Sequence, residues 1–421
     1  MSRAKAKIYV DGFVKPGFEK ILQTFRYNLE QGLERGGAFA AYYKGELVAN
    51  VWGGTADGKS GVLWKKDSLP CFYSTTKSMS AVVIAHMVDK GLLNYAEKVK
   101  TYWPEFAQNG KEGVSLEQLI SNQAGVAACD EKFQMAMIQS NPDKLGEILA
   151  KQRPLWKPGT NHGYHPITFA LYLDQIVRRV DPKKRSLGIY FKEEIADPFD
   201  LEFYIGLPKA LFYRAPRVVM MKKFDVAEYI ANFKGDIEIL NKTSDNPSDF
   251  RTVRRMNDPD IRCLPVGSVC GHGTAEAVAK FHGILGNGGM HDGKRMLSQE
   301  AIRRIQEMKV GGFDLSFSMD GMWSLGTMVF PVFEDGKMTM MFGHGGYGGQ
   351  MGLADSHYKV GLAYATNHLD PTSRAGADAD KRWPSLYHTL YECIHKIENV
   401  KVNRKTLYQF NDYKNYTASK L

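Results

Sequence analysis

A helix that is apolar on almost every side is predicted between Thr75 and Asp89. Its sequence, TTKSMSAVVIAHMVD, places small and apolar side chains all round, and Gly91 follows where helices commonly end. Such a helix needs cover from other elements on all sides, so it belongs in the middle of a large core. The chain has 421 residues, which is enough to build one.

Strand patterns lie on both sides of this helix along the sequence. The segment GAFAAYYKGELVANVWGG predicts a β-hairpin that turns at Lys44-Gly45. Three later segments, separated by turns at Asp335-Gly336 and around Ser356-His357, predict further strands: WSLGTMVF (323–330), KMTMMFGH (337–344) and KVGLAYATN (359–367). Residues 382–397 predict a C-terminal helix.

Helical and charged patterns fill the region between the two groups of strands. We therefore predict an α+β fold, with one antiparallel sheet from the N- and C-terminal parts, flanking helices and an inserted, mostly helical lobe. The expected layout is a single domain over residues 1–400, followed by a polar tail over 401–421. Its sheet lobe covers about 8–75 and 265–398, and its helical lobe about 76–264, so a cleft between the lobes is the expected place for a site.

Composition excludes several classes of protein. The net charge is +9, but the basic clusters form no nucleic-acid-binding module, so we interpret them as solvated faces. Five cysteines without a C-x-x-C spacing indicate reduced thiols rather than disulfides or zinc. No apolar run approaches the ~18 residues of a membrane span, and the N-terminus lacks a secretory apolar segment.

The segment from Gly53 to Ser60, GGTADGKS, matches the nucleotide-binding pattern G-x-x-x-x-G-K-[ST]. A phosphate-binding loop must open a helix, because the helix N-terminus and its N–H groups hold the phosphates. Here GVLWKKDSLP follows Ser60, with a glycine at once and Pro70 soon after. The segment therefore predicts a turn at Asp57-Gly58, and a nucleotide hydrolase is disfavoured.

The S-x-x-K pattern occurs three times, beginning at Ser2, Ser74 and Ser356, and only Ser74 stands at the start of a buried helix. Spacing i, i+3 brings the Lys77 amine to the Ser74 hydroxyl. The free N–H groups and positive end of the helix favour an oxyanion, and an apolar setting allows Lys77 to act as a base. The alternative is a helix-capping serine beside a lysine that reaches the surface.

Two glycine-rich segments supply further candidates. Tyr164 follows the loop KPGTNHG and precedes a helix that begins near Pro166. The turn His344-Gly345-Gly346-Tyr347 ends a predicted strand, where glycines let a backbone N–H approach a ligand. His162 and His165 have the spacing of a metal pair, but no third ligand is evident, so loop-supporting roles and no metal are expected.

These motifs together resemble the serine β-lactamase and penicillin-binding-protein family. Ser74-Thr75-Thr76-Lys77 matches the nucleophile motif, Tyr164 the second motif, and His344-Gly345-Gly346 the third. The class C β-lactamase-related branch, with its carboxylesterases and the β-lactamase-related proteins of animals, is the most similar. Connecting segments also look like this family, so the resemblance covers about residues 10–395: DKGLLNYAEKVKTYWPEF, VSLEQLISNQAGV and GHGTAEAVAKFHGILGNGG.

The resemblance implies a serine hydrolase that acts on a small-molecule ester or amide through an acyl-enzyme, without a cofactor. Ser74 would be the nucleophile, and Lys77 and Tyr164 would share the proton transfers, with the identity of the base left open. The N–H groups of Ser74 and Tyr347 would form the oxyanion hole.

Two departures from the family pattern bear on the substrate. Pro166 stands where the lactamases have asparagine, and His344 where they have the lysine of the third motif. His344, Gly345 and Gly346 would still contact the substrate. The departures favour an esterase or amidase over a true β-lactamase. The alternative is a non-catalytic descendant that binds or scaffolds.

The chain ends in Ser419-Lys420-Leu421, the tripeptide read by the peroxisomal import receptor. We expect that receptor as a partner, the peroxisomal matrix as the location, and residues 401–421 as an accessible polar tail. The alternative location is the cytoplasm.

Overall fold

The structure, a computed structural model, describes residues 8–222, 225–317, 319–373, 380–408 and 410–418. A large antiparallel sheet dominates it, with strand order β1-β3-β2-β15-β14-β13-β12-β11-β10, while β4 pairs with β3 and β17 with β12. The strands of this sheet are β1 Val10–Val14, β2 Gly36–Tyr43, β3 Glu46–Asp57, β4 Val62–Leu63, β10 Val310–Asp314, β11 Met319–Trp323, β12 Met328–Glu334, β13 Lys337–Gly346, β14 Gln350–Asp355, β15 Val360–Thr366 and β17 Arg404–Thr406.

Small two-stranded pairings lie outside this sheet and join loops to one another. They comprise β5 Phe203–Ile205 with β7 Gly271–Gly273, β6 Val219–Met220 with β16 His368–Leu369, and β8 Met290–His291 with β9 Lys294–Arg295. The helices are α1 Glu19–Glu30, α2 Thr76–Asp89, α3 Leu116–Ile120, α4 Met137–Ser140, α5 Pro142–Lys151, α6 Thr168–Val180, α7 Leu187–Phe191, α8 Val226–Ala231, α9 Ile237–Asp245, α10 Pro259–Arg262, α11 Ala275–Gly286, α12 Gln299–Gln306, α13 Arg382–Ile397 and α14 Phe410–Ala418. The α+β fold predicted from the sequence is confirmed. In the described part of the chain, no helix is both long and apolar enough to cross a bilayer.

Helices cover both faces of the sheet. On one face α1 and α13 pack against apolar side chains of the central strands. On the other, α11 lies so close to β15 that a Cβ on Gly361 would come within 1.9 Å of the Gly283 nitrogen. The helix α2 lies deeper on this second side, against β13 and the helices α6, α7 and α12.

The central helix has the expected surroundings and the expected end. Nearly every side chain of α2 is buried, including Lys77. The Gly91 N–H donates to Val88 O and the Leu92 N–H donates to Met87 O, both at 2.9 Å, with Gly91 in the left-handed region (φ 70°). Glycine is favoured there because an added Cβ is strained at positive φ. The prediction that the helix ends at this glycine is confirmed.

Several predicted turns are also confirmed. The hairpin of β2 and β3 turns at Lys44 (φ 51°) and Gly45 (φ 85°), as a two-residue turn requires. The GKSG segment, residues 58–61, is likewise a turn, because it joins β3 to the short strand β4 and opens no helix. The helix predicted over 382–397 is α13.

The prediction of one continuous strand over residues 323–330 is wrong. β11 ends at Trp323, and a turn closed by a 2.9 Å hydrogen bond from Ser324 N to Thr327 O leads into β12 at Met328. Gly326 (φ 86°) lies against α2, where an added Cβ would be 2.7 Å from Ala81 Cβ. The β-branched and apolar residues therefore span a tight turn that packs on the central helix.

The described part of the tail after residue 400 packs on the sheet, although several of its side chains, among them Lys401, Lys405 and Lys414, are exposed. Residues 404–406 form β17, which adds to the edge of β12, and residues 410–418 form α14, which packs on β10 and β11. The edge of β12 offers unpaired backbone groups, and the extended, polar segment satisfies them.

Candidate active site

Ser74 lies in a single 3₁₀ turn, Tyr73–Thr75, that runs directly into α2. Tyr73 adopts a left-handed conformation (φ 46°), which is unusual for a bulky residue and common where strain serves a function. The Phe72 N–H anchors this turn to Gly271 O at 2.8 Å, and the Tyr73 hydroxyl donates to Val253 O at 3.2 Å. Ser74 is consequently held half-buried beside a cavity.

Lys77 reaches back from α2 to Ser74, with 3.4 Å between its Nζ and the serine Oγ. The same Nζ donates to the carbonyl oxygens of Pro166 (2.7 Å) and Ser268 (3.0 Å) and lies 4.7 Å from the centre of the Tyr164 ring. No carboxylate pairs with this amine anywhere in the described ranges. Burial without an opposing charge holds the pKa of Lys77 well below its usual range, which favours the neutral amine.

Tyr164 also contacts Ser74, and its hydroxyl donates to the serine Oγ at 2.6 Å. Its ring stacks with those of Phe317, with 4.3 Å between ring centres, and Trp323, with 5.3 Å, and these two rings are 6.2 Å apart. Both pairs are stacked, so the phenol has little freedom to turn. Burial raises the pKa of Tyr164 above its ordinary value, so the phenol stays protonated near neutral pH.

Asp314, at the end of β10, holds this stack in place. Its buried carboxylate accepts hydrogen bonds from the backbone N–H groups of Tyr164 (3.0 Å), Ser316 (2.9 Å) and Phe317 (3.0 Å). It also accepts from Trp323 Nε1 at 3.1 Å. One side chain therefore holds Tyr164 and both rings that stack with it.

His344 lies near the end of β13, with its ring centre 5.8 Å from those of Tyr164 and Trp323. Its Nδ1 donates to Gly345 O at 2.6 Å, so Nε2 is an acceptor, and Nε2 is buried without a hydrogen-bond partner among the described residues. Burial, with a smaller contribution from Lys77, lowers the pKa of His344 to about 3. The ring is neutral, unlike the lysine that stands at this position in lactamases.

The turn that contains Tyr347 lies directly against the turn that contains Ser74. A Cβ on Gly346 would be 2.2 Å from Phe72 O, so the end of β13 touches the backbone just before the serine. The buried guanidinium of Arg382, paired with Asp380, supports the far side of this turn by donating to Gly348 O at 2.8 Å. Ser74 and Tyr347 both line the same cavity.

His162 and His165 do not form a metal pair. His165 uses both ring nitrogens on the backbone, since Nδ1 donates to Gly163 O (2.7 Å) and Nε2 accepts from Val126 N–H (3.1 Å). His162 lies near Gly312 and Asp314, and burial lowers its pKa. No cluster of three or more potential metal ligands occurs in the part of the chain that the structure describes.

The cavity beside Ser74 has a volume of about 430 Å³ and two different ends. Residues from β11, β12 and the C-terminal segment form one end, which is mainly apolar: Met319, Asp320, Met322, Met328, Val329, Phe330 and Tyr408. The other end is bordered by exposed polar residues: Ser244, Arg251 and Thr252. It is thus a concave, mainly apolar site with a few polar groups at Ser74, as small-molecule sites are.

The structure therefore brings Ser74, Lys77 and Tyr164 together, and places His344, Gly345, Gly346 and Tyr347 on the same cavity. Ser419, Lys420 and Leu421 lie outside the described residues. The sequence did not reveal Asp314 or the two rings that stack with Tyr164, although the D-x-S spacing in FDLSF is a turn signal.

A serine, a lysine and a tyrosine that meet at the start of a buried helix, beside an antiparallel sheet, define a serine hydrolase with the β-lactamase/transpeptidase-like fold. The chain belongs to the beta-lactamase family, because residues 23–386 match that family's model. It is a serine hydrolase of the β-lactamase type.

Similar proteins cover most of the chain. The esterase/beta-lactamase LipL of Mycobacterium tuberculosis is 28% identical over 373 residues, which are 86% of this chain and 83% of LipL. The crystal structure of a family VIII carboxylesterase is 32% identical, with a TM-score of 0.82, and the match covers 92% of this chain and all of that one. A penicillin-binding protein homologue from Caulobacter crescentus is 30% identical, with a TM-score of 0.79 and coverage of 91% and 100%.

Proposed function

We propose that the protein hydrolyses carboxyl esters through an acyl-enzyme formed on Ser74. The observation that carries this proposal is the continuous line of hydrogen-bonding groups from the Tyr164 hydroxyl (2.6 Å) to Ser74 Oγ and on to Lys77 Nζ (3.4 Å). Such a line can both remove the serine proton and deliver it elsewhere.

The contacts of Lys77 support the inference that it is the base. A neutral amine has two N–H groups and one lone pair, and the Pro166 and Ser268 carbonyl oxygens accept both N–H groups. The lone pair is then left for the serine hydroxyl. Because the phenol of Tyr164 is protonated and donates to Ser74 Oγ, it suits the role of proton donor to the leaving group.

The reaction balances with these groups alone. Ser74 Oγ attacks the ester carbonyl carbon, its proton passes to Lys77, and the N–H groups of Ser74 and Tyr347 stabilise the oxyanion. The C–O bond to the alcohol breaks, and the alcohol leaves with a proton supplied through Tyr164, which Lys77 replenishes. Water then attacks the acyl carbonyl carbon and gives a proton to Lys77. The bond from this carbon to Ser74 Oγ breaks, Ser74 Oγ takes that proton, and the carboxylic acid leaves.

The charges at the site favour an ester over a β-lactam. His344 is neutral and buried where the third motif of lactamases carries a lysine, so a substrate carboxylate gains no fixed positive charge from it. The names of LipL and of the family VIII carboxylesterase agree with an esterase. A purely binding or scaffolding role is disfavoured, because it leaves the aligned serine, lysine and tyrosine without a purpose.

A fluorophosphonate probe tests this function. We expect the probe to add its mass to the peptide that carries Ser74, and Ser74→Ala to abolish both labelling and ester hydrolysis. The control is Lys59→Ala in the GKSG turn, and this variant should be labelled and should hydrolyse esters as the wild type does. ATP should not raise the melting temperature of the protein. Labelling at another serine, or labelling that survives Ser74→Ala, would contradict the assignment.

We also propose that the enzyme works in the peroxisomal matrix, with the import receptor as its partner. The support is the sequence Ser419-Lys420-Leu421, read as a free C-terminus.

A further inference from the structure

The apolar end of the active-site cavity lies at a break in the main sheet. Within the described ranges, β11 and β12 pair only at Trp323 and Met328, so the β10–β11 hairpin diverges from β12 beyond this point. The cavity lining beside this gap is mainly apolar, and three of its residues are methionines: Met319, Met322 and Met328. Asp320 also lines it, and its carboxylate accepts a hydrogen bond from the Asn411 N–H at 3.3 Å. Unbranched, flexible methionine side chains can accommodate apolar groups of different shapes.

The C-terminal segment closes this gap. β17 pairs with β12 from Val332 to Glu334, and the Leu407 N–H then donates to Pro331 O at 2.8 Å. Tyr408 follows, with its ring centre 6.3 Å from that of Phe330 and its side chain on the cavity. Beyond it, Phe410 packs on Gly311 in β10, where an added Cβ would be 2.5 Å from its ring. Leu407 therefore lies on β12 and Phe410 on β10, on either side of the gap, and the Tyr408 ring lines the cavity.

The two ends of the cavity differ in access to water. At the closed end Met322, Val329 and Phe330 are buried. At the other end Ser244, Arg251 and Thr252 are exposed. During ester hydrolysis the alcohol must leave and water must enter while the acyl group is still bonded to Ser74. The exposed end suits that exchange, and the closed end suits the part of the substrate that stays.

We propose that the gap between β11 and β12 is an acyl-chain pocket for esters of aliphatic carboxylic acids, and that Tyr408 limits the length of chain it accepts. This inference rests on the proposed ester hydrolysis at Ser74. Each methylene that enters the pocket is removed from water, which corresponds to about fourfold in kcat/KM if the burial is complete in the transition state. The gain stops where the chain meets the Tyr408 ring.

The test compares p-nitrophenyl acetate, butyrate, hexanoate, octanoate and decanoate. For the wild type, kcat/KM should rise by up to about fourfold per methylene, pass through a maximum and fall. Tyr408→Ala should move the maximum to longer chains, and Tyr408→Trp should move it to shorter ones. The matched control is Tyr213→Ala, since Tyr213 is 81% exposed and lies outside the cavity, and its profile should equal that of the wild type.

A second series of esters tests whether the dependence on chain length comes from the acyl group or from the alcohol. Acetate esters of alcohols of increasing length should show little dependence on length, whereas a rise in this series alone would overturn the acyl assignment. Flat profiles in both series, with Ser74-dependent hydrolysis of acetate intact, overturn the pocket and leave the proposed function standing. If no ester is hydrolysed in a Ser74-dependent way, both fail. Should Tyr408→Ala not fold, the wild-type series and the Tyr408→Trp shift decide.

Discussion

The side chains of Lys77 and Tyr164 both contact the same oxygen atom, Ser74 Oγ. If they act as one proton-transfer unit, Lys77→Ala and Tyr164→Phe should each lower kcat by on the order of 10² or more. The double variant should be little worse than either single one, because the unit is already broken. Steady-state kinetics of the four proteins measure this, and strictly multiplicative losses would show that the two residues act separately.

The pH dependence of activity should follow the Lys77 amine. Burial lowers its pKa well below the usual range, so the amine is neutral above that lowered pKa, and activity should fall as the pH drops through it. Neither His344, whose pKa is about 3, nor the protonated Tyr164 should add a limb near neutral pH.

Because burial causes the pKa shift of Lys77, this pKa should not depend on salt concentration. Desolvation, rather than a neighbouring charge, lowers this pKa, and salt screens charges but does not hydrate a buried amine. The acid limb of a plot of kcat/KM against pH should therefore stay in place between low salt and about 1 M salt. If the acid limb moved with ionic strength, an ion pair, rather than burial, would set the pKa of Lys77.

At the scale of elements, the β10–β11 hairpin fixes the position of Tyr164 through Asp314. An asparagine at this position has only one acceptor oxygen, and its N–H₂ group faces N–H donors that the aspartate accepts from. Asp314→Asn should therefore destabilise the fold by about 1–3 kcal/mol. It should also lower kcat more than it changes KM, because the phenol acts in proton transfer. Denaturant unfolding and kinetics measure both effects. The control is Asp292→Asn, whose side chain is 84% exposed.

The elements that were predicted correctly from the sequence are determined by nearby residues. The hairpin at Lys44-Gly45 and the end of α2 at Gly91 are fixed by residues that tolerate positive φ, and α13 by its periodicity. The strand over 323–330 failed because the contact between Gly326 and α2 is not local. Ser74, Lys77 and Tyr164 were found from motif spacing. Asp314 and the rings of Phe317 and Trp323 were missed, because only the folded hairpin brings them to Tyr164.

At the scale of the whole molecule, the location of the enzyme can be tested without disturbing the fold. A fluorescent protein fused to the N-terminus, with Leu421 left free, should colocalise with a peroxisomal marker. Removal of Ser419, Lys420 and Leu421 should make the signal diffuse, while β17 and its pairing with β12 remain. A full-length fusion that stays diffuse, or a truncated one that keeps its puncta, would favour the cytoplasm instead.

The pairing of β17 with β12 also bears on how the protein can fail. β17 covers the backbone of Val332, Phe333 and Glu334 at the edge of a long sheet. An uncovered edge of this kind is a template on which another chain can add a strand. Truncation before Arg404 should therefore promote self-association, visible as concentration-dependent light scattering, whereas loss of the last three residues should not.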